Sequence, residues 1–141
     1  MIRCTAALCG QAVIRDSITN FVSVINIFES IEVPQLPSMM AAISALFTLQ
    51  RDHEDNQDRP AAFVRLTLIG QPPQNLPGNV DFQGHPGSRC IVQMAGIPLG
   101  GPGVMRVALF IEDREVGGWN MPVLQVGPVI QPAPALAGPN A

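Results

Sequence analysis

The sequence predicts an all-β protein, an antiparallel immunoglobulin-like β-sandwich of seven to eight strands, and three observations carry that expectation. Short apolar stretches recur with side chains alternating between apolar and polar, the period of an extended strand. Turn-forming residues separate them: 14 prolines and 13 glycines in 141 residues favour many short strands over long helices. The hydrophobic share is 47%, so one core can form without metals or disulfide staples, and a chain of this length holds a single domain.

Residues 2–14 are mostly apolar and end at Arg15-Asp16-Ser17, a first strand and its turn. Residues 20–33 are rich in Val, Ile and Phe on both faces and read as one strand covered on two sides, stopped by Pro34 and Pro37. The next segment, 38–48, fits two patterns. Met39, Met40, Ile43, Leu46 and Phe47 fall at helical spacing behind Ser38, whereas Ala41, Ile43, Ala45, Phe47 and Leu49 alternate as in a strand. The surrounding strands favour the second. A wholly polar run, 51–60, forms a solvent-exposed connection. It leads into a strand over 61–70 with Val64, Leu66 and Leu68 on one face. Four prolines and three glycines make 71–88 a long loop, with room for a short edge strand at 79–83. Strands follow over 89–97 and 104–112, joined by a turn at 98–103, and Met105, Val107, Leu109 and Ile111 point inward. Asp113-Arg114 turns the chain into a last strand, 115–126, interrupted at Gly117-Gly118. The domain therefore spans 1–126, and 127–141 is expected to be a disordered Pro/Ala-rich tail.

Charge narrows the partners. Eight basic and eleven acidic side chains give a net charge of −3, and the basic residues, all Arg, are scattered. That balance offers no field to draw in a polyanion, so nucleic acid is not expected as a partner. No apolar run approaches the roughly 18 residues of a membrane span, and residues 1–14 make a poor signal peptide. Cys4, Cys9 and Cys90 are expected as reduced, mostly buried thiols of a cytosolic protein. Five residues apart in a strand, Cys4 and Cys9 are expected on opposite faces.

Three stretches together resemble an uncharacterised bacterial family of short β-sandwich proteins, the domain of unknown function 6941. They are Ala6 to Cys9 with Phe21 to Phe28, the passage around Pro34 and Pro37, and Gly96-Ile97-Pro98 through Val104–Ile111 to Glu112-Asp113-Arg114-Glu115-Val116. The resemblance implies a β-sandwich and attaches no activity, ligand or catalytic residue to it. Met105 stands where the family pattern has an aromatic, and the 71–88 loop is longer than the pattern, which bears on loop detail rather than fold.

Candidate chemical sites are few. Asp52, Glu54, Asp55 and Asp58, with His53, cluster in one loop that could offer oxygens to calcium, but the run lacks a Gly and is flanked by Arg51 and Arg59. A solvated loop tip is the simpler reading. Cys90 and His85 suggest a thiol and its base, yet Cys90 lies in an apolar strand and Arg89 alone does not make the setting electropositive. Trp119 is expected to be a core or edge-covering residue. The turns at 96–103 lack the Lys-Ser or Lys-Thr of a phosphate loop. No catalytic, cofactor-binding or metal residue is therefore assigned, and no cofactor is expected. The functional expectation is a non-enzymatic, cytoplasmic binding or structural accessory protein that meets a protein partner or itself. The alternatives are a calcium-dependent module or enzyme using the 52–58 loop, and a surface or capsid-associated module.

Overall fold

The computed structural model describes residues 1–54 and 57–127, and among these every regular element is a strand. In chain order they are β1 (Ile2–Arg15), β2 (Val22–Ile27), β3 (Ile31–Val33), β4 (Ser38–Arg51), β5 (Ala62–Thr67), β6 (Gln74–Pro77), β7 (Gly87–Leu99), β8 (Gly103–Ile111) and β9 (Arg114–Gln125). One sheet has four strands in the order β2-β1-β4-β7, and the other five in the order β3-β9-β8-β5-β6. Alternation puts Ile43, Ala45, Phe47 and Leu49 of β4 on one inner face and Met105, Val107, Leu109 and Ile111 of β8 on the other. All eight are buried in a single core. The segment that fits both helix and strand patterns is thus a strand. Its β-branched and apolar residues sit at the centre of a sheet, where long-range pairing with β1 and β7 decides the matter.

Several expectations need correction. Nine strands replace seven to eight, and the pairing is not wholly antiparallel, because β3 runs parallel to β9. Residues 20–33 are not one strand. Asn26 takes a left-handed conformation, φ 53°, within β2, whose pairing in the first sheet ends one residue later at Ile27. The chain then crosses to the second sheet through Phe28, whose carbonyl accepts a 2.7 Å hydrogen bond from the Trp119 indole Nε1. Trp119, partly buried against the core, therefore covers an edge and fixes the crossing. The edge strand in the long loop lies at Gln74–Pro77, not at 79–83. Val80 and Phe82 are buried in the core instead, and left-handed Gln83 and Gly84 turn the chain away behind them. β7 continues through Pro98 to Leu99, shortening the turn expected at 98–103.

Cys4 and Cys9 both face inward. A β-bulge shifts the β1–β4 register between Cys4 and Ala6, and the extra residue restores Cys9 to the face of Cys4. Cys4 lies so close to β9 that a Cβ on Gly117 would stand 2.6 Å from its Sγ. Residues 128–141, nearly all of the expected tail, lie outside the described residues.

Candidate functional site

The bulge that turns Cys4 inward aims Thr5 outward, where its hydroxyl lies 2.7 Å from that of Thr48 on β4. The outer face of the four-stranded sheet begins here as a polar strip, with Gln50 further along β4 and Arg89 on β7 opposite Thr48. Further along β4 the same face turns apolar and is covered: Ser44 and Leu46 are 3% and 7% exposed although they point away from the core.

The cover is the chain's own first hairpin. Straight strand geometry would put Thr5 and Arg15 about 33 Å apart, yet both line one groove, so β1 bends between them. The bend centres on Gly10, the last residue of β1 paired with β4 and the first paired with β2. A Cβ there would sit 2.7 Å from the Ile25 carbonyl oxygen and from Val24 Cγ1, and only glycine permits that approach. Beyond the bend, Val13, Arg15, Val22 and Val24 form one face of the hairpin and Ile14, Ser23, Ile25 and Ile27 the other. The three valines are half-buried and the three isoleucines exposed, which turns the first face toward the sheet. At the tip, the Asp16 carboxylate accepts hydrogen bonds from the Ile18 and Thr19 amides, which hold its pKa below the usual value. Arg89 Nη1 donates to the Asn20 carbonyl over 2.9 Å and ties the tip to β7.

Between hairpin, sheet and the loop after β6 lies an open groove of about 670 Å³. Arg15 and Asn20 line it from the hairpin, Thr5, Thr48, Gln50 and Arg89 from the sheet, and Asn79, Asp81, Gln83 and His85 from the loop. Among the described residues neither Arg15 nor Arg89 belongs to an ion pair, whereas Arg3, Arg51, Arg59 and Arg106 each do. Asp81 is the carboxylate in the lining. Arg59 pairs with it at 3.0 Å and the Gln83 amide donates to it, so its charge is already countered. The groove therefore combines two guanidinium groups that belong to no ion pair among the described residues with amides and hydroxyls, the donor set that holds an oxyanion.

The residues singled out in the sequence do not assemble into a second site. Asp52 pairs with the N-terminal amine at 3.1 Å and with Arg3 at 3.7 Å. Asp58 accepts from the Gly84 amide and from Arg51 Nη2, each at 2.9 Å, and these donors lower its pKa. The two acids thus brace different parts of the fold, and Asp55 lies outside the described residues. Among the described residues no three His, Cys, Asp or Glu side chains converge as metal ligands. Arg51, over the Phe82 ring at 4.6 Å, also donates to the carbonyls of Gln57 and His85 and locks the loops on either side. Cys90 faces the core and His85 the outer groove, so they form no couple. Burial raises all three thiol pKa values, that of Cys9 to about 12, which keeps the sulfurs protonated and inert at neutral pH.

Arg15 and Arg89 escaped the sequence reading because 74 positions separate them (89 − 15) and only the bent hairpin brings them together. The available signal was indirect: Thr48, Gln50 and Arg89 are polar at outward positions of strands whose other outward residues are largely apolar.

An all-β, two-sheet domain with an external polar groove is the class this geometry defines. The chain belongs to the family of unknown function DUF6941, whose model matches residues 5–124. No curated protein matches the chain significantly. Among solved structures it is similar to the Pseudomonas fluorescens alkylpurine DNA glycosylase AlkC bound to DNA containing an abasic site analog. The TM-score is 0.57 at 8% identity, over 89% of this chain and 30% of that one. This likeness is one of fold, and the chain spans less than a third of the neighbour's length.

The finding corrects the partner expectation, which excluded nucleic acid. A protein containing this fold is bound to DNA, and the argument from a net charge of −3 fails because a sum over the whole surface does not describe one groove. Among the described residues no helix is long and apolar enough to cross a membrane.

Proposed function

We propose that this protein is a non-enzymatic binding module that holds an anionic polymer, nucleic acid, in the groove under its first hairpin. The observation that carries the reading is the presence of Arg15 and Arg89 in one polar groove without a carboxylate partner among the described residues. A guanidinium placed this way binds phosphate through paired N–H donors and releases counterions as it does so. The DNA-bound state of the structural neighbour supports the choice of polymer. The neighbour's longer chain supports an accessory role, in which a domain of this size adds contacts beside another activity. We read the fold as an immunoglobulin-like sandwich with an added parallel edge strand, and the three free thiols as suited to the reducing cytoplasm.

Fluorescence anisotropy with a dye-labelled oligodeoxynucleotide, offered as duplex and as single strand at 50 mM salt, tests the reading. Binding should weaken at least tenfold in Arg15→Ala/Arg89→Ala, and the slope of log K against log salt should fall by about 1.4 for single strands, about 0.7 for each lost phosphate contact. If the native protein binds neither form, the reading is wrong.

A further inference from the structure

We infer that the groove receives an unpaired strand and not a duplex; this rests on the anion-binding reading above and specifies its ligand. The first argument is size. A space of about 670 Å³ is the size of a pocket for one small-molecule ligand, far less than the body of a duplex whose major groove alone is roughly 12 Å wide. An intact duplex can therefore touch the rim of the groove but cannot enter it. A single strand can bring a phosphate and its base inside together.

The second argument is the placement of charge. Arg89 rises from the sheet that forms the floor, and Arg15 faces it from the hairpin that forms the roof. Cations on two walls suit a narrow backbone passing between them, as in the positively charged grooves that track single strands. Arg89 spends one donor on the Asn20 carbonyl and retains the rest of its fork for a phosphate.

The third argument is the rest of the lining. The side-chain amides of Asn20, Gln50, Asn79 and Gln83 each offer both a donor and an acceptor, the pairing that base edges present once they are free of a complementary strand. Ile91, 36% exposed, adds an apolar surface among them. A bare phosphate would take only the N–H donors of these amides and leave their carbonyl oxygens unmatched, and in a duplex the Watson–Crick edges that match both are occupied.

The test compares three probes on the full-length protein: a labelled ten-nucleotide single-stranded oligodeoxynucleotide of mixed sequence, the same sequence as a duplex, and inorganic polyphosphate as an unlabelled competitor. The single strand should bind at least tenfold more tightly than the duplex, and polyphosphate should displace it only at a large excess of phosphate. Gln83→Ala/Asn79→Ala should lower single-strand affinity several-fold while leaving polyphosphate competition unchanged. Arg15→Ala, a substitution at an exposed position, should weaken both, with an unchanged Tm showing that the fold is intact. Equal affinity for duplex and single strand, or polyphosphate competing phosphate for phosphate, overturns the inference while the anion-binding reading survives. Failure to bind all three probes overturns both.

Discussion

The hairpins near the two ends of the chain, β1–β2 and β8–β9, are both built from apolar strands, and they are used differently. In β8–β9 the alternation has one sense. Met105, Val107, Leu109, Met121 and Val123 are buried, and the strands turn through Glu112 and Asp113, both left-handed at φ 53° and 62°, as a two-residue turn of matching twist requires. In β1–β2 both faces are apolar. Gly10 folds the hairpin back so that Val24 packs beside Gly10, the partner of buried Ser44 on β4, while Ile14, Ile25 and Ile27 remain in solvent. The β8–β9 hairpin is part of the core, and the β1–β2 hairpin is a cover for the outside of a sheet. Strand composition alone does not separate the roles. What separates them is whether the backbone can bend.

The largest effect that tests this contrast is in the core hairpin. Leu109→Ala removes a fully buried side chain and should cost about 2–5 kcal/mol in urea unfolding. Ile25→Ala, on the solvent side of the covering hairpin, should stay within about 0.5 kcal/mol. Comparable losses at the two positions would show that the hairpin's outer face is covered by something in solution, and the distinction between core and cover would fail.

A smaller loss is expected where the cover is hinged. Gly10→Ala would place a methyl group 2.7 Å from a carbonyl oxygen and a valine methyl, an overpacking worth about 1–3 kcal/mol. Hydrogen exchange should accelerate over residues 16–27 while β8–β9 stays protected, because the tip is tethered through the Arg89 bond to Asn20. Uniform acceleration across both hairpins would mean that the bend is not a local hinge.

The same contrast explains what could be read in advance. Alternation was legible where it met one core: Val64, Leu66 and Leu68, or Met105 through Ile111, are buried as their spacing demands. It misled where backbone irregularity intervened. A bulge beside Thr5 reversed the parity of Cys4 and Cys9, and the run that contains left-handed Asn26 divides after Ile27 into two strands that serve different sheets. Residue type does not announce either event, since threonine and asparagine are common in ordinary strands and turns. The groove was less legible still. Its walls come from residues 5, 15, 48, 79 and 89, and their convergence depends on the Gly10 bend, which looks in sequence like a weak interruption of a strand. Net charge concealed it further, because the acids elsewhere outnumber the two arginines that matter.

The smallest effect concerns how the covering hairpin is closed. Its turn relies on a side chain where β8–β9 relies on backbone conformation, so pH should reach one and spare the other. The Ile18 and Thr19 amides bond the ionised Asp16 carboxylate and lower its pKa. A group whose native pKa lies below its unfolded value, about 3.9 for Asp, contributes stability that is complete above that value and lost as the pH falls through the native pKa. An NMR titration should therefore place the Asp16 carboxyl midpoint below the ordinary aspartate value, with the Ile18 and Thr19 amide shifts moving in step and the Gly117 and Gly118 amides unmoved. In Asp16→Asn the amide oxygen still accepts, without the charge, so the pH response of those two shifts should disappear while the hairpin remains formed. A midpoint at or above the ordinary value would mean that the tip is open in solution, and the roof of the groove would then have to be formed by the ligand as it binds.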